Sequence, residues 1–166
     1  MKNLRSIQLI ILNSLILAGC SEQYVPEPYT YSRVFSGDTK KSWKLTRLAY
    51  KEQGKADVNY TSTDLNQILG TCVTDDLYTF YADAEKSFQI SEGASKCNAA
   101  DPDVYISDTW SFSNATATLS MVFPVLSSSK LPYIVLDASN KEMTTEIFVD
   151  ASNTISYKIH FVAVND

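Results

Sequence analysis

Histidine is almost absent from this chain: 166 residues carry one, His160. By strand alternation it shares a row with Ser156 and Lys158, opposite Tyr157, Ile159 and Phe161, and is predicted to point into solvent. Placed there it builds neither a triad nor a two-histidine metal site. Glycine is also scarce, with five in all, and none forms a phosphate-cradling loop, a dinucleotide fingerprint or a Gly-x-Ser-x-Gly elbow. Basic residues are outnumbered, 14 Lys and Arg against 19 Asp and Glu, which argues against nucleic acid as a partner. Asp75-Asp76 and Asp101-Pro102-Asp103 lack the glycine and spaced acids of a dedicated calcium loop; the first reads as a solvated strand start, the second as a turn or, less favoured, part of a calcium site of oxygen ligands. A glycosidase-like pair such as Asp137 and Glu142 stays open, with nothing in the sequence to favour it. The expectation is a protein that is not an enzyme and needs no cofactor or metal.

Long apolar runs are missing too, except at the N-terminus. There Lys2 and Arg5 precede a stretch from Ile7 to Ala18 broken only by Gln8, Asn13 and Ser14, the pattern of a secretory signal peptide. It falls short of the ~20 residues that cross a bilayer, and as a core helix apolar almost all round it would need partners on every side. The run ends in Leu17-Ala18-Gly19-Cys20, which resembles the lipobox of bacterial lipoproteins. That resemblance implies cleavage before Cys20 and acylation of its thiol. Several acyl chains at ~0.8 kcal/mol per buried methylene make the attachment essentially permanent. Ser21 is not the aspartate that retains lipoproteins in the inner membrane of well-studied Gram-negative bacteria, so an outer-membrane address, periplasmic or surface-facing, is expected.

Cleavage removes residues 1–19 and with them Lys2 and Arg5, leaving 12 basic against 19 acidic residues in 147. A chain of that size suits one domain, which can bury roughly 68–70% of its unfolded surface. Of three cysteines, assignment of Cys20 to lipid leaves Cys72 and Cys97 as a pair with the parity of a disulfide in an oxidising envelope compartment. Closing their loop is worth roughly 3.5 kcal/mol in the chain-entropy model. Two buried free thiols, or a metal pair, are the competing readings.

Residues 20–41 hold Pro26, Pro28, Gly37 and the tyrosines Tyr24, Tyr29 and Tyr31 without a sustained period, and are predicted to be a lipid-anchored tether. From residue 42 to 166 short segments rich in aromatic and β-branched residues alternate with turn clusters, the spacing of an antiparallel sandwich or barrel. Strands are predicted near 42–49, 76–82, 87–91, 105–113, 115–123, 132–138, 142–149 and 154–164. Faces are clearest for Leu119, Met121 and Phe123, for Met143, Thr145, Ile147 and Val149, and for Tyr157, Ile159, Phe161 and Ala163. Tight connections are expected at 84–86, 113–114, 139–141 and 150–153. One short helix, capped by Ser62 or Thr63, points Leu65, Ile68 and Leu69 inward and stops at Gly70. Ser127-Ser128-Ser129 reads as a loop.

Five blocks in order, Lys41-Ser42-Trp43-Lys44-Leu45, Cys72 through Phe80, Gly93 through Cys97, Thr109 through Asn114 and Tyr133-Ile134-Val135-Leu136, resemble the small lipocalin-like lipoproteins of Bacteroidetes. The resemblance implies an all-β, up-and-down barrel of about eight strands, just wide enough for its own side chains or one small ligand. It implies no particular activity. Trp43, Phe80, Trp110 and Phe112 are then expected to fill the barrel interior or close its base, as core in preference to pocket. Two functions stay open. One is a binding module whose barrel mouth takes a small apolar or amphipathic molecule. The other is an accessory subunit of an envelope assembly for secretion, motility or nutrient uptake, using tyrosine-rich surface.

Overall fold

Inward and outward positions alternate along the strands, and this decides the architecture. The computed structural model describes residues 31–164. Its elements are α1 (Ser32–Ser36), β1 (Lys40–Glu52), β2 (Val58–Tyr60), α2 (Ser62–Leu69), α3 (Thr71–Thr74), β3 (Leu77–Tyr81) and β4 (Ser87–Ser91). There follow β5 (Val104–Thr109), β6 (Ser111–Ser113), β7 (Thr118–Phe123), β8 (Ser127–Ala138), β9 (Glu142–Phe148) and β10 (Ile155–Val164). Leu119, Met121 and Phe123 of β7, Met143 of β9 and Ile159 and Phe161 of β10 are wholly buried. A sheet with one continuous apolar face must curl or be covered, and here it curls.

All strand pairs are antiparallel, in the order β5-β4-β3-β1-β10-β9-β8-β7-β6, with β2 appended to β1. The two ends of that ladder, β5 and β6, are consecutive in sequence and separated only by Trp110. The result is a nearly closed, lipocalin-like up-and-down barrel of nine strands. The seam is bridged by Lys130 of β8, whose Nζ donates to Thr109 Oγ1 at 2.7 Å and lies 2.9 Å from the Asp108 carboxylate of β5.

Phe80, Trp110 and Phe112 gather at one end around Phe35, and Trp43 reaches the same cluster through its indole. Phe35 of α1, fully buried, packs on Trp110 at 6.2 Å and on Phe112 at 4.9 Å between ring centroids. Trp43 donates its indole N–H to the Phe35 carbonyl at 2.8 Å, and Trp110 donates its own to the Tyr81 carbonyl at 3.0 Å. Phe80 lies against Phe88 and Trp110. Phe112 is only partly buried and carries Tyr31 on its outer side, 6.3 Å away. Farther along the interior, Tyr78, Phe123 and Phe161 form a second layer with centroids 5.2 to 5.8 Å apart. Buried rings of this size contribute on the order of 2–3 kcal/mol each.

Several expectations are corrected. Residues 32–41 belong to the domain and not to the tether, because Phe35 plugs the barrel and Lys41 Nζ donates to the Val34 carbonyl of α1. Tyr24, Tyr29, Cys20 and the lipobox lie outside the described residues. The strand predicted over 105–113 breaks at Trp110, where the main-chain N–H turns to the Lys86 carbonyl as the chain changes partner from β4 to β7. Ser127–Ser129 begin β8, since ladder hydrogen bonds are made by backbone and tolerate serine. Residues 114–117 form a turn with Ala117 at φ 48°, so β7 starts later than expected. β2 and the extra helical turns α1 and α3 were not anticipated. The cap of α2 is Thr61, whose side chain and N–H are exchanged with Asp64 in a capping box; Leu65 points inward, Leu69 is partly buried and Ile68 is 62% exposed.

Candidate functional site

At the opposite end from Phe35 and Trp110, α2, α3 and the loop between β4 and β5 cover the barrel mouth. The covering is tied down at several points. Cys72 of α3 and Cys97 of the loop form a disulfide with Cα atoms 5.1 Å apart, the pairing expected from sequence. Ser95 donates its N–H to Asp75 Oδ2 at 2.8 Å, and Glu92 donates its N–H to the Asp103 carbonyl at 2.8 Å. Lys96 Nζ is held by the Asp101 carbonyl at 2.7 Å and the Asp103 carboxylate at 2.6 Å. Gly93 passes so close to α3 that a Cβ there would stand 2.2 Å from the Asp75 carbonyl oxygen. Only glycine fits that approach.

Between the covering and the barrel rim lies an open pocket of about 400 Å³. Its walls include Leu69, Val73, the disulfide, Pro102, Pro124 and Val125; its polar lining is Asp76, Glu92, Asp101 and Tyr105. Strand alternation carries two of these acids inward. Asp76 lies two residues before Tyr78 and Glu92 two after Ile90, and both reference residues are buried in the core. Asp76 is 3% exposed, accepts the Tyr105 hydroxyl at 2.6 Å on Oδ2, and has no partner for Oδ1. Glu92 Oε2 and Asp75 Oδ1 are likewise buried without a partner.

Loss of water around Asp76 pushes its carboxyl up to about 6, and the charges of Glu92 and Asp75 add to the effect. The Tyr105 hydroxyl and the Gly93 N–H offset part of it. Burial first, and then the bond to Asp76, pushes the Tyr105 phenol upward, so this hydroxyl keeps its proton and acts as a donor. Such a pocket offers apolar wall, two free carboxylate acceptors and one fixed phenol. Asp75-Asp76 is expected as a solvated strand start; the structure buries Asp76 instead. Tyr105 carried no signal of its own, being 37% exposed and reaching Asp76 only through its hydroxyl.

The residues singled out by sequence fall elsewhere. Phe80 and Trp110 are buried at the closed end with Phe112 beside them, and Trp43 is buried midway, paired with Tyr78 on β3 two residues from Asp76. Deeper inside, Tyr133 Oη and Thr145 Oγ1 are buried without partners, and burial raises the Tyr133 phenol. His160 is not the exposed side chain expected: 13% exposed, it meets Thr46 Oγ1 through Nδ1 at 2.8 Å and Glu142 Oε2 through Nε2 at 3.4 Å. Burial and the charge of Arg47 hold its pKa below the usual histidine value. The threonine hydroxyl also lies 3.2 Å from the His160 carbonyl, so it bridges the imidazole and the main chain of the same residue. Among the described residues no group of three or more His, Cys, Asp or Glu is placed to hold a metal ion, and no helix is long and apolar enough to cross a membrane. In comparisons with known proteins, no family model and no curated protein matches the chain.

Proposed function

We propose that this chain is a non-enzymatic binding module of the lipocalin-like lipoprotein kind, anchored to the outer membrane through lipid on Cys20, and that it takes a small amphipathic ligand at the helix-covered mouth. The observation that carries the reading is the pocket itself: about 400 Å³ of space with apolar walls and a few convergent polar groups, one of them a buried carboxyl with a raised pKa. The barrel interior is occupied by its own aromatic layers, so the mouth, and not the lumen, is where a ligand fits. Native mass spectrometry of the full chain, extracted gently from membranes, tests this. A small-molecule adduct is expected on wild type and not on Val125→Trp, whose indole fills the pocket. An adduct that survives Val125→Trp places the ligand elsewhere, and the absence of any adduct or of any binder from a small-molecule library refutes the reading.

The alternative, an accessory subunit of an envelope complex, has one observation in its favour. On the outer face of β8 and β9, Leu131, Pro132, Ile134, Phe148 and Val149 line an apolar hollow of about 500 Å³, with Ile134, Phe148 and Val149 between 37% and 52% exposed. A photo-crosslinking residue at position 148 that recovers only the monomer from intact cells sinks this second reading.

A further inference from the structure

The polar groups that line the mouth pocket are one-sided in a way its apolar walls do not require. Asp76, Glu92 and Asp101 all line it, and among the described residues no lysine, arginine or histidine does. Asp76 Oδ1 and Glu92 Oε2 are buried acceptors without a donor, and a buried unsatisfied carboxylate oxygen costs free energy until a donor arrives. Of the neighbouring donors, the Tyr105 hydroxyl is already committed to Asp76 Oδ2, and the Gly93 N–H, though close to the carboxyl, makes no hydrogen bond to Oδ1. Lys96, the basic residue of the covering loop, is turned onto Asp103 and the Asp101 carbonyl. We propose that the polar end of the ligand is an organic cation with N–H donors, an ammonium group on an apolar body, seated against Asp76 Oδ1 and Glu92 Oε2. This rests on the reading of the mouth as a ligand site.

Chemistry separates this ligand class from its neighbours. An anion would meet three carboxyls and no counter-charge. A neutral alcohol brings one donor for two orphaned acceptors. A hard metal ion would demand six or more oxygens, whereas no metal-sized group of ligands is assembled here among the described residues. An ammonium supplies up to three donors and a positive charge, while Leu69, Val73, Pro124 and Val125 take the apolar remainder.

The same geometry makes the site responsive to pH. The titratable groups facing Asp76 are Asp75 after α3, Tyr78 on its own strand, Glu92 after β4 and Tyr105 on β5, none of them cationic. Burial and these acidic neighbours bring Asp76 up to about 6, so the free site gains a proton as the medium turns mildly acidic, and an ammonium then competes with that proton.

Calorimetry on the full lipidated chain in zwitterionic lipid nanodiscs, with empty nanodiscs as control, tests the proposal using 2-phenylethylamine, 2-phenylethanol and phenylacetate. At about pH 7.5 the amine is expected to bind at least roughly ten-fold more tightly than the alcohol, with phenylacetate weakest, and at about pH 5 that preference shrinks several-fold. Asp76→Asn and Glu92→Gln, each checked for an intact thermal transition, are expected to bring the amine-to-alcohol ratio towards one. Equal affinities for amine and alcohol, or a preference that survives in both variants, overturn the cation assignment and leave the mouth pocket standing. Failure of all three compounds to bind overturns the ligand site itself.

Discussion

Asp76→Asn should stabilise the fold at neutral pH, although it removes a charged group from the candidate site. The native carboxyl titrates near 6 and an unfolded aspartate near 3.8, a difference of roughly two units at ~1.36 kcal/mol each. Because the folded state holds its proton more tightly, aspartate costs nothing where both states are protonated, below about pH 4. The cost grows as pH rises through the interval from 3.8 to about 6, and is complete above it. Asparagine keeps an acceptor for the Tyr105 hydroxyl and carries no charge to desolvate. The full interval corresponds to about 3 kcal/mol, and relaxation with water entry reduces this to roughly 1.5 kcal/mol, or about 5 °C in melting temperature for a domain of this size. Urea denaturation of wild type and variant in parallel from about pH 4 to pH 8 isolates the effect, since every group that titrates alike in both cancels. The difference is expected to start near zero and to open in favour of the variant above about pH 5. A flat difference, or a wild type that is more stable at about pH 8, refutes the reasoning.

Gly93→Ala forces a methyl against the Asp75 carbonyl and is expected to lower stability by about 1–3 kcal/mol, read by denaturant titration, with the disulfide still formed. Reduction of Cys72–Cys97, which closes a separation of 25 residues, should lower stability by roughly 3.5 kcal/mol and weaken any ligand binding, because Cys72 and Cys97 themselves line the pocket. Phe35→Ala opens the closed end beneath Trp110 and is expected to cost about 3–5 kcal/mol in the same titration, with the tryptophan fluorescence shifted to the red as water reaches the indoles. Lys130→Met removes a partly exposed seam contact to Asp108, so a loss under about 1 kcal/mol that vanishes at high salt is expected.

Much of the barrel is legible in the sequence because period-2 burial is a local signal. Leu119, Met121 and Phe123 can be read as one face without knowing what they meet. The Cys72–Cys97 pair is expected from parity when Cys20 is read as lipidated. What is not legible depends on contacts made far along the chain. Phe35 gains its role only when β1, β5 and β6 converge around it, so a residue among prolines, serines and tyrosines reads as tether although it is wholly buried. Trp110 ends one strand and starts another because its N–H finds Lys86, 24 residues earlier, a pairing no local pattern announces. His160 is shielded by Thr46 from the other end of the sequence.

The candidate site was the least legible part, and the reason is instructive. Two adjacent aspartates between a turn and a strand normally cap and face water. Alternation from Tyr78 and Phe80 nevertheless puts Asp76 on the inward face, so the period-2 argument used for the core contained the answer. Composition outweighed periodicity in that reading. Tyr105 and Glu92 complete the site from β5 and from the end of β4, and their convergence on Asp76 is a property of the closed sheet.

Residue-resolved amide NMR of the domain in the full chain, titrated with 2-phenylethylamine, tests the central claim most directly. Shift changes are expected to concentrate at Val73, Asp76, Glu92, Gly93, Tyr105 and Val125, with the closed end around Phe35 and Trp110 and the outer face around Ile134 and Phe148 undisturbed. Changes centred on either of those two regions, with the mouth silent, contradict the account.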